Sequence, residues 1–470
     1  MDMKSSNWWD NHVNVCTWSM LGRGEHDESI LHFFRDMEVS IADRGHFVGM
    51  ETQNPEKAKA IAKLHHENGI KITSFNTIEG WNAEEANLMI EQLKHHIDLG
   101  YDGVHLDMFN ATKDRDSITT WEAGQKISTA LKKYAKDRYN KDIMFSGNTW
   151  VNENPLSIKL TSICDVAWVE SWGDSIMDVA LICKIGKATR QCPRSCWYHL
   201  QPNTDEEWKI TDKSNYVRAL MSSCIMEGAV FLCNLSYPVL STKDDRWHFV
   251  AINEAWKKYV LQYGAFLNRY KEYHVGTQPQ AEAVYVVHPR EIALARPTMF
   301  YLMNENIQFN LLISGDKPLG ELDTDTLSAY KYILTNKRAG FSIPSQSTNI
   351  HFDQGMLRET LQSLADYSRS YLSFSDDRVV GRIMKKDTTT IVHVKNRSYC
   401  LDTDSISSIY NVQTNMYAPG AYKVVLISPD TNEEDELDFT VDRENIHFQL
   451  PVVEYYSTII VHAENNHEGR

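Results

Sequence analysis

The chain has 470 residues, more than one hydrophobic core usually supports, so two or three domains are expected. Apolar residues make up 42% and charged residues 24%, an ordinary globular balance that argues against long disorder or a fibrous repeat. With 48 basic and 63 acidic residues the net charge is -15, which disfavours nucleic acid and anionic membrane surfaces as partners and leaves a neutral or cationic small substrate.

The opening MDMKSSNWWDNHVNV lacks a basic stretch followed by an apolar run, and no later segment approaches bilayer-spanning length, so a cytoplasmic protein is expected. The eight cysteines are scattered, mostly within apolar runs, as reduced thiols packed like small hydrophobes. Cys192 and Cys196 in CPRSC lack a second pair to complete a zinc site.

From about residue 13 to residue 236, strand-like runs alternate with amphipathic helical patterns, the order that builds a parallel sheet covered by helices. In chain order these are VNVCTWSM, helix DESILHFFRDM, VSIADRGHFVGM, helix PEKAKAIAKLHHENG, IKITSFNTI, helix NAEEANLMIEQLKHHIDLG, YDGVHLDMF and helix WEAGQKISTALKKYAKDRYN. They continue with DIMFSGNTW, ICDVAWVESWG, helix DSIMDVALICKIG, SCWYHLQPN, helix NYVRALMSSCIMEG and AVFLCNLS. Eight strands in this span predict an α/β fold, a (β/α)8 TIM barrel over residues 1–275. Gly69 and Gly100 stand where helices should stop before strands. No Gly-x-Gly-x-x-Gly follows the first strand, which removes the main support for nucleotide binding.

A long helix-like run, HFVAINEAWKKYVLQYGAFLNRYKEYH, closes this region. AEAVYVVHP, IQFNLLISG and LSAYKYILTN then predict a small α/β domain, assigned to 276–375 together with the helical segment QGMLRETLQSLADY. TTTIVHVKNRS, YKVVLISP, LDFTVD and YYSTIIVHAE alternate as half-exposed strands do, predicting a C-terminal antiparallel β-sandwich over 376–470.

In a barrel of this kind the C-terminal strand ends form the active site. Asp107 closes the fourth strand in GYDGVHLDMFN, and Glu170 closes the sixth in DVAWVESWGD. Glycosidic cleavage needs two such carboxyl groups, which suits Asp107 as nucleophile and Glu170 as acid/base, with Glu153 as the substitute acid. Trp168 and Trp172 could supply the apolar setting that keeps Glu170 protonated. The bland alternatives are a helix cap or ion-pair partner for Asp107 and a buried structural carboxylate for Glu170. Trp18, His46, Asn76, His105, Asn148, Trp150, Trp172, Asp174, His199 and Gln201 are the candidate substrate-binding residues, with Asp43 and Asn234 at further strand ends. His46 and His199 belong to no metal-binding pattern, so no metal and no cofactor is expected. A barrel lyase or aldolase would need a lysine at a strand end, and none is predicted there.

GYDGVHLDMF resembles the fourth-strand nucleophile motif of α-amylase-like, dextranase-like and α-galactosidase-like retaining glycosidases, in which the strand-final Asp, here Asp107, is the nucleophile. The three-part layout is similar to that of bacterial β-galactosidases whose second domain resembles a glutamine-amidotransferase fold and mediates trimerisation. That resemblance implies an amidotransferase-like or flavodoxin-like middle domain and a homo-oligomer. The β-galactosidase group carries Asn-Glu at its fourth strand, whereas this strand ends in Leu106-Asp107. The expectation is a glycosidase of small oligosaccharides or glycosides, with a non-catalytic carbohydrate-binding or assembly protein as the alternative.

Overall fold

The computed structural model describes residues 7–17, 31, 34–43, 54–77, 83–107, 118–148, 155–171, 176–190, 196–200, 213–234, 236–240, 247–251, 254–315, 319, 322, 324–335, 348–351, 364, 371–432 and 434–464. The chain divides into two compact units. The first holds Met1–Ser175, Ile185–Asp212 and Ala229–Asn268; the second holds Ile176–Lys184, Lys213–Gly228 and Arg269–Arg470.

In the first unit the apolar strand-like runs become eight short strands: β1 (Val15–Thr17), β2 (Ile41–Asp43), β3 (Lys71–Thr77), β4 (Gly103–Asp107), β5 (Met144–Asn148), β6 (Val166–Ser171), β7 (Cys196–Leu200) and β8 (Val230–Asn234). Each pairs in parallel with the next, and β8 pairs with β1, so the sheet closes into a barrel. Along the sequence the connections between the strands hold α1 (Pro55–Glu67), α2 (Ala83–Asp98), α3 (Ile118–Tyr139) and α4 (Pro155–Thr161), then α5 (Ile176–Arg190) and α6 (Tyr216–Met226), of which Ile176–Lys184 and all of α6 belong to the second unit. Local signals set the ends of α1. The Asn54 side chain accepts the Lys57 N–H at 3.0 Å, Pro55 occupies the first turn, and Gly69 follows at φ +73°.

Alternate strand residues face opposite ways. Val104, Leu106 and Phe145 pack outward against Ile90, Leu93 and Ile97 of α2 and Ile127 and Leu131 of α3. Val15, Ile41, Met144, Val166, Trp168, Val230 and Leu232 fill the lumen. Gly103 belongs to that lumen register, where a Cβ would lie 2.7 Å from the Met144 carbonyl oxygen, so only glycine lets the strands close there.

The N-terminal face of the barrel is tied by two aspartates. Asp102, just before β4, accepts the Ile72 N–H at 3.0 Å and meets His66 at 2.7 Å, Lys141 at 2.8 Å and Lys71 at 3.1 Å. Although burial opposes its ionisation, the His66 hydrogen bond and the two lysines together hold its carboxyl well below the usual range. Asp165, just before β6, repeats the pattern, accepting the Phe145 N–H at 2.8 Å and pairing with Lys132 at 2.6 Å.

The helix-like run after residue 246 resolves differently from its pattern. Trp247–Ala251 is a strand, β10, antiparallel to β9 (Ser236–Leu240), and α7 (Glu254–Arg269) starts only afterwards. A strand partner supplied by the preceding segment decides the conformation of HFVA, overriding a local pattern that suits either state.

In the second unit, β12 (Ala283–Val287), β13 (Phe309–Ile313), β14 (Tyr332–Thr335) and β15 (Thr348–His351) form a parallel sheet in the order β13-β12-β14-β15, with α8 (Ile292–Asn304) and α9 (Thr324–Ser328) in its connections. The segment QGMLRETLQSLADY falls mostly outside the described residues. Two antiparallel sheets follow. One runs β11-β17-β18-β24-β20-β21, from β11 (Gln278–Pro279), β17 (Val379–Lys386), β18 (Thr389–Asn396), β20 (Ala421–Ile427), β21 (Glu434–Glu436) and β24 (Tyr456–Ala463). The other runs β16-β19-β23-β22, from β16 (Leu372–Phe374), β19 (Ile409–Tyr417), β22 (Phe439–Asp442) and β23 (Asn445–Val453). Val392, Val394 and Val461 of the first sheet and Val412, Met416, Ile446 and Leu450 of the second meet in one core.

Buried charge joins α6 to the first of these sheets. Glu227 meets Arg382 of β17 at 3.0 Å and Lys184 at 3.1 Å. The Lys395 amine of β18 donates to the Ser223 hydroxyl, and burial brings its pKa down to about 7.

Candidate active site at the barrel mouth

Strand register determines which residues share a level in the lumen. A path perpendicular to the strands runs from Val15 through Ile41 and Lys71, and extending the strand register onward returns it to the β1 line at position 7. The barrel therefore has a shear of eight for eight strands, and a level line climbs one residue per strand. Inward residues at one height then come from alternate strands.

The middle layer makes this concrete. His105, Trp168 and Leu232 share a level on β4, β6 and β8, and the His105 and Trp168 rings meet edge-on with centroids 4.9 Å apart. Both are fully buried. His105 Nδ1 also lies 3.1 Å from Ser146 Oγ, and its ring is stacked against Phe75 at 6.0 Å. His105, expected to bind substrate, thus belongs to the packed layer beneath the mouth.

Two residues further along the same strands lie positions 107, 170 and 234, in the last even-strand layer at the C-terminal end. Asp107 and Glu170 are therefore level, with one strand between them. At the usual strand spacing their main chains stand about 10 Å apart. Glu170 is register-paired with His199, and Thr77 with Asp107. The odd-strand layer just below holds positions 75, 148 and 199, and Asn148 there is 7% exposed.

Asn76 falls on the other face. It stands in register with Leu106, whose side chain packs into the helix layer, so the pleat turns position 76 away from the lumen. Phe75 takes the inward register instead. Sequence reading passed over Phe75; the parity was readable once Thr77 was known to pair with Asp107. Position 43 of β2 is level with His105, two residues along its strand below the level of positions 107 and 170. Trp18, His46, Trp150, Glu153, Trp172, Asp174 and Gln201 lie outside the described residues.

Among the described residues no group of three or more His, Cys, Asp or Glu side chains is placed to hold a metal ion. No described helix is long and apolar enough to cross a membrane.

No family model and no curated protein sequence matches the chain. Solved structures do. α-L-Fucosidase isoenzyme 2 from Paenibacillus thiaminolyticus superposes with a TM-score of 0.60 at 9% identity, covering 96% of this chain and 100% of its own. A cycloisomaltooligosaccharide glucanotransferase from Paenibacillus sp. gives 0.59 at 8% identity, covering 96% and 85%. The β-galactosidase from Bacillus circulans sp. alkalophilus gives 0.55 at 8% identity, covering 96% and 99%. At such identities the likeness is one of fold: the chain has the barrel-and-antiparallel-sheet architecture of barrel-type glycoside hydrolases.

Proposed function

We propose that the chain is a glycoside hydrolase on a (β/α)8 barrel, cleaving a small oligosaccharide or glycoside by a retaining, two-carboxylate mechanism. The observation that supports this reading is the backbone register, which sets positions 107 and 170 at one level on alternate strands at the C-terminal end of the barrel. In the proposed reaction the Glu170 carboxyl protonates the glycosidic oxygen while the Asp107 carboxylate attacks the anomeric carbon. Glu170, now ionised, then takes a proton from the water that releases the sugar. Retaining enzymes hold their two carboxyl groups about 5–5.5 Å apart. Main chains about 10 Å apart are compatible with that span. Asn148, and His199 beside Glu170, are proposed to bind sugar hydroxyls.

The parallel sheet of the second unit runs second-first-third-fourth, the start of a flavodoxin-type order. This supports an amidotransferase-like domain, and with it a homo-oligomer, which sedimentation analysis tests. A cytoplasmic location remains part of the proposal, to be checked by cell fractionation.

The test is hydrolysis of α- and β-linked aryl glycosides by the wild type, Asp107→Asn and Glu170→Gln, with the anomer of the first product read by NMR. Loss of activity in both variants and a retained anomer support the reading. An unimpaired Glu170→Gln transfers the acid role to Glu153. A wild type that binds sugars without cleaving any favours a carbohydrate-binding protein.

A further inference from the structure

Packing in the barrel lumen is tight wherever side chains are described from Thr73 upward. Thr73, His105, Ser146, Val166, Trp168 and Leu232 are buried, and Asn148 nearly so. Phe75 departs from this, since its ring stands on the inward register of β3 yet remains half-buried. An aromatic ring left partly in water forfeits some of its burial free energy, which a folded core alone gives no reason to sacrifice. Its position supplies a reason. Phe75 lies in the layer directly below the level of Asp107 and Glu170, on the strand next to β4. It is also held in place, because its ring runs nearly parallel to that of His105, 19° between planes, and His105 is fixed by Ser146 and Trp168.

We propose that Phe75 is a substrate-contacting residue, the apolar platform on which the C–H face of a pyranoside ring rests, one layer below the level of positions 107 and 170. This rests on the glycosidase reading and deepens it, by assigning a ring-shaped ligand with one apolar face to the lumen side of the site. A ring already immobilised by its neighbours loses little freedom on binding, so the contact contributes affinity efficiently. Tyrosine could serve as well, because it presents the same face, whereas leucine fills the volume without offering a flat ring.

The test compares the wild type with Phe75→Tyr, Phe75→Leu and Phe75→Ala, each first checked for cooperative thermal unfolding. Saturation-transfer NMR against glucose, galactose, fucose and xylose reads contact with the ring protons, and kinetics on any cleaved aryl glycoside read kcat and KM. The expected result is ring-proton saturation in the wild type and Phe75→Tyr, lost in Phe75→Leu and Phe75→Ala, with kcat/KM down about tenfold or more in those two. Leucine is the informative variant if alanine fails to fold. Saturation that persists in Phe75→Leu overturns the proposal, as does a Phe75→Tyr variant as impaired as Phe75→Leu, or a wild type that contacts none of these sugars. Phe75-dependent contact without hydrolysis leaves the platform standing and removes the catalytic reading.

Discussion

Two strands of the barrel carry an acidic residue at each end, five positions apart. Asp102 precedes β4 and Asp107 ends it; Asp165 precedes β6 and Glu170 is its penultimate residue. The lower pair is consumed by the fold. Asp102 binds three basic side chains and a backbone N–H, and Asp165 binds a lysine and a backbone N–H. The upper pair stands at one level on alternate strands at the C-terminal end of a parallel barrel, the end where such barrels place chemistry. Residue type alone therefore says little about role. What separates the pairs is the direction in which the strand runs past them.

Substitutions at the two ends should pull activity and stability apart. At the mouth, Asp107→Asn is expected to lower kcat by at least about 1,000-fold while leaving the urea midpoint close to that of the wild type. A stability loss matching that of the lower pair would break the contrast. At the floor, Asp102→Asn is expected to cost about 3 kcal/mol, because it leaves three basic groups and a backbone N–H without their shared carboxylate. Urea unfolding measures it, and kcat of the folded fraction should be unchanged. Asp165→Asn, with a single lysine partner, should cost about 1–2 kcal/mol in the same assay.

The floor should also set how stability depends on acid. Burial brings His65 down from 6.5 to about 4. Because the unfolded chain takes up the proton first, stability attached to His65 is full above about 6.5 and falls by about 3 kcal/mol as the pH drops to about 4. Asp102 has the opposite chemistry and a lower window, since its depressed carboxyl loses its contribution only as pH falls below its ordinary value of 3.8. Unfolding of His65→Gln between pH 7 and 4 should be flatter than that of the wild type, and an unchanged slope would remove His65 from the account. The smallest effect is expected in the second unit. Lys395→Met replaces a buried amine by an apolar chain of similar length and should be neutral or raise stability by about 1 kcal/mol.

Much of the barrel was legible because its signals are local. Strand alternation, the Asn54-Pro55 helix start and the Gly69 stop each depend on a few adjacent residues. The end of β4 at Asp107 could be read from the apolar run that it closes. His105 and Asn76 were harder, since each stands beside the strand end on a run with no apolar-polar alternation, so its face was undetermined. The β9-β10 pairing escaped for a related reason: HFVA takes its conformation from a partner strand that its own pattern does not name.

By itself, then, the sequence determined the order of strands and helices, the antiparallel character of its C-terminal part and the acids at the ends of β4 and β6, all of which follow from hydrophobic period and turn chemistry. Only the tertiary structure decided that Asp107 and Glu170 are level, that Phe75 faces the lumen while Asn76 faces the helices, and that Asp102 gathers basic side chains from three separate segments. Those relations depend on register and shear, which arise when all eight strands close on one another, and no single strand encodes them.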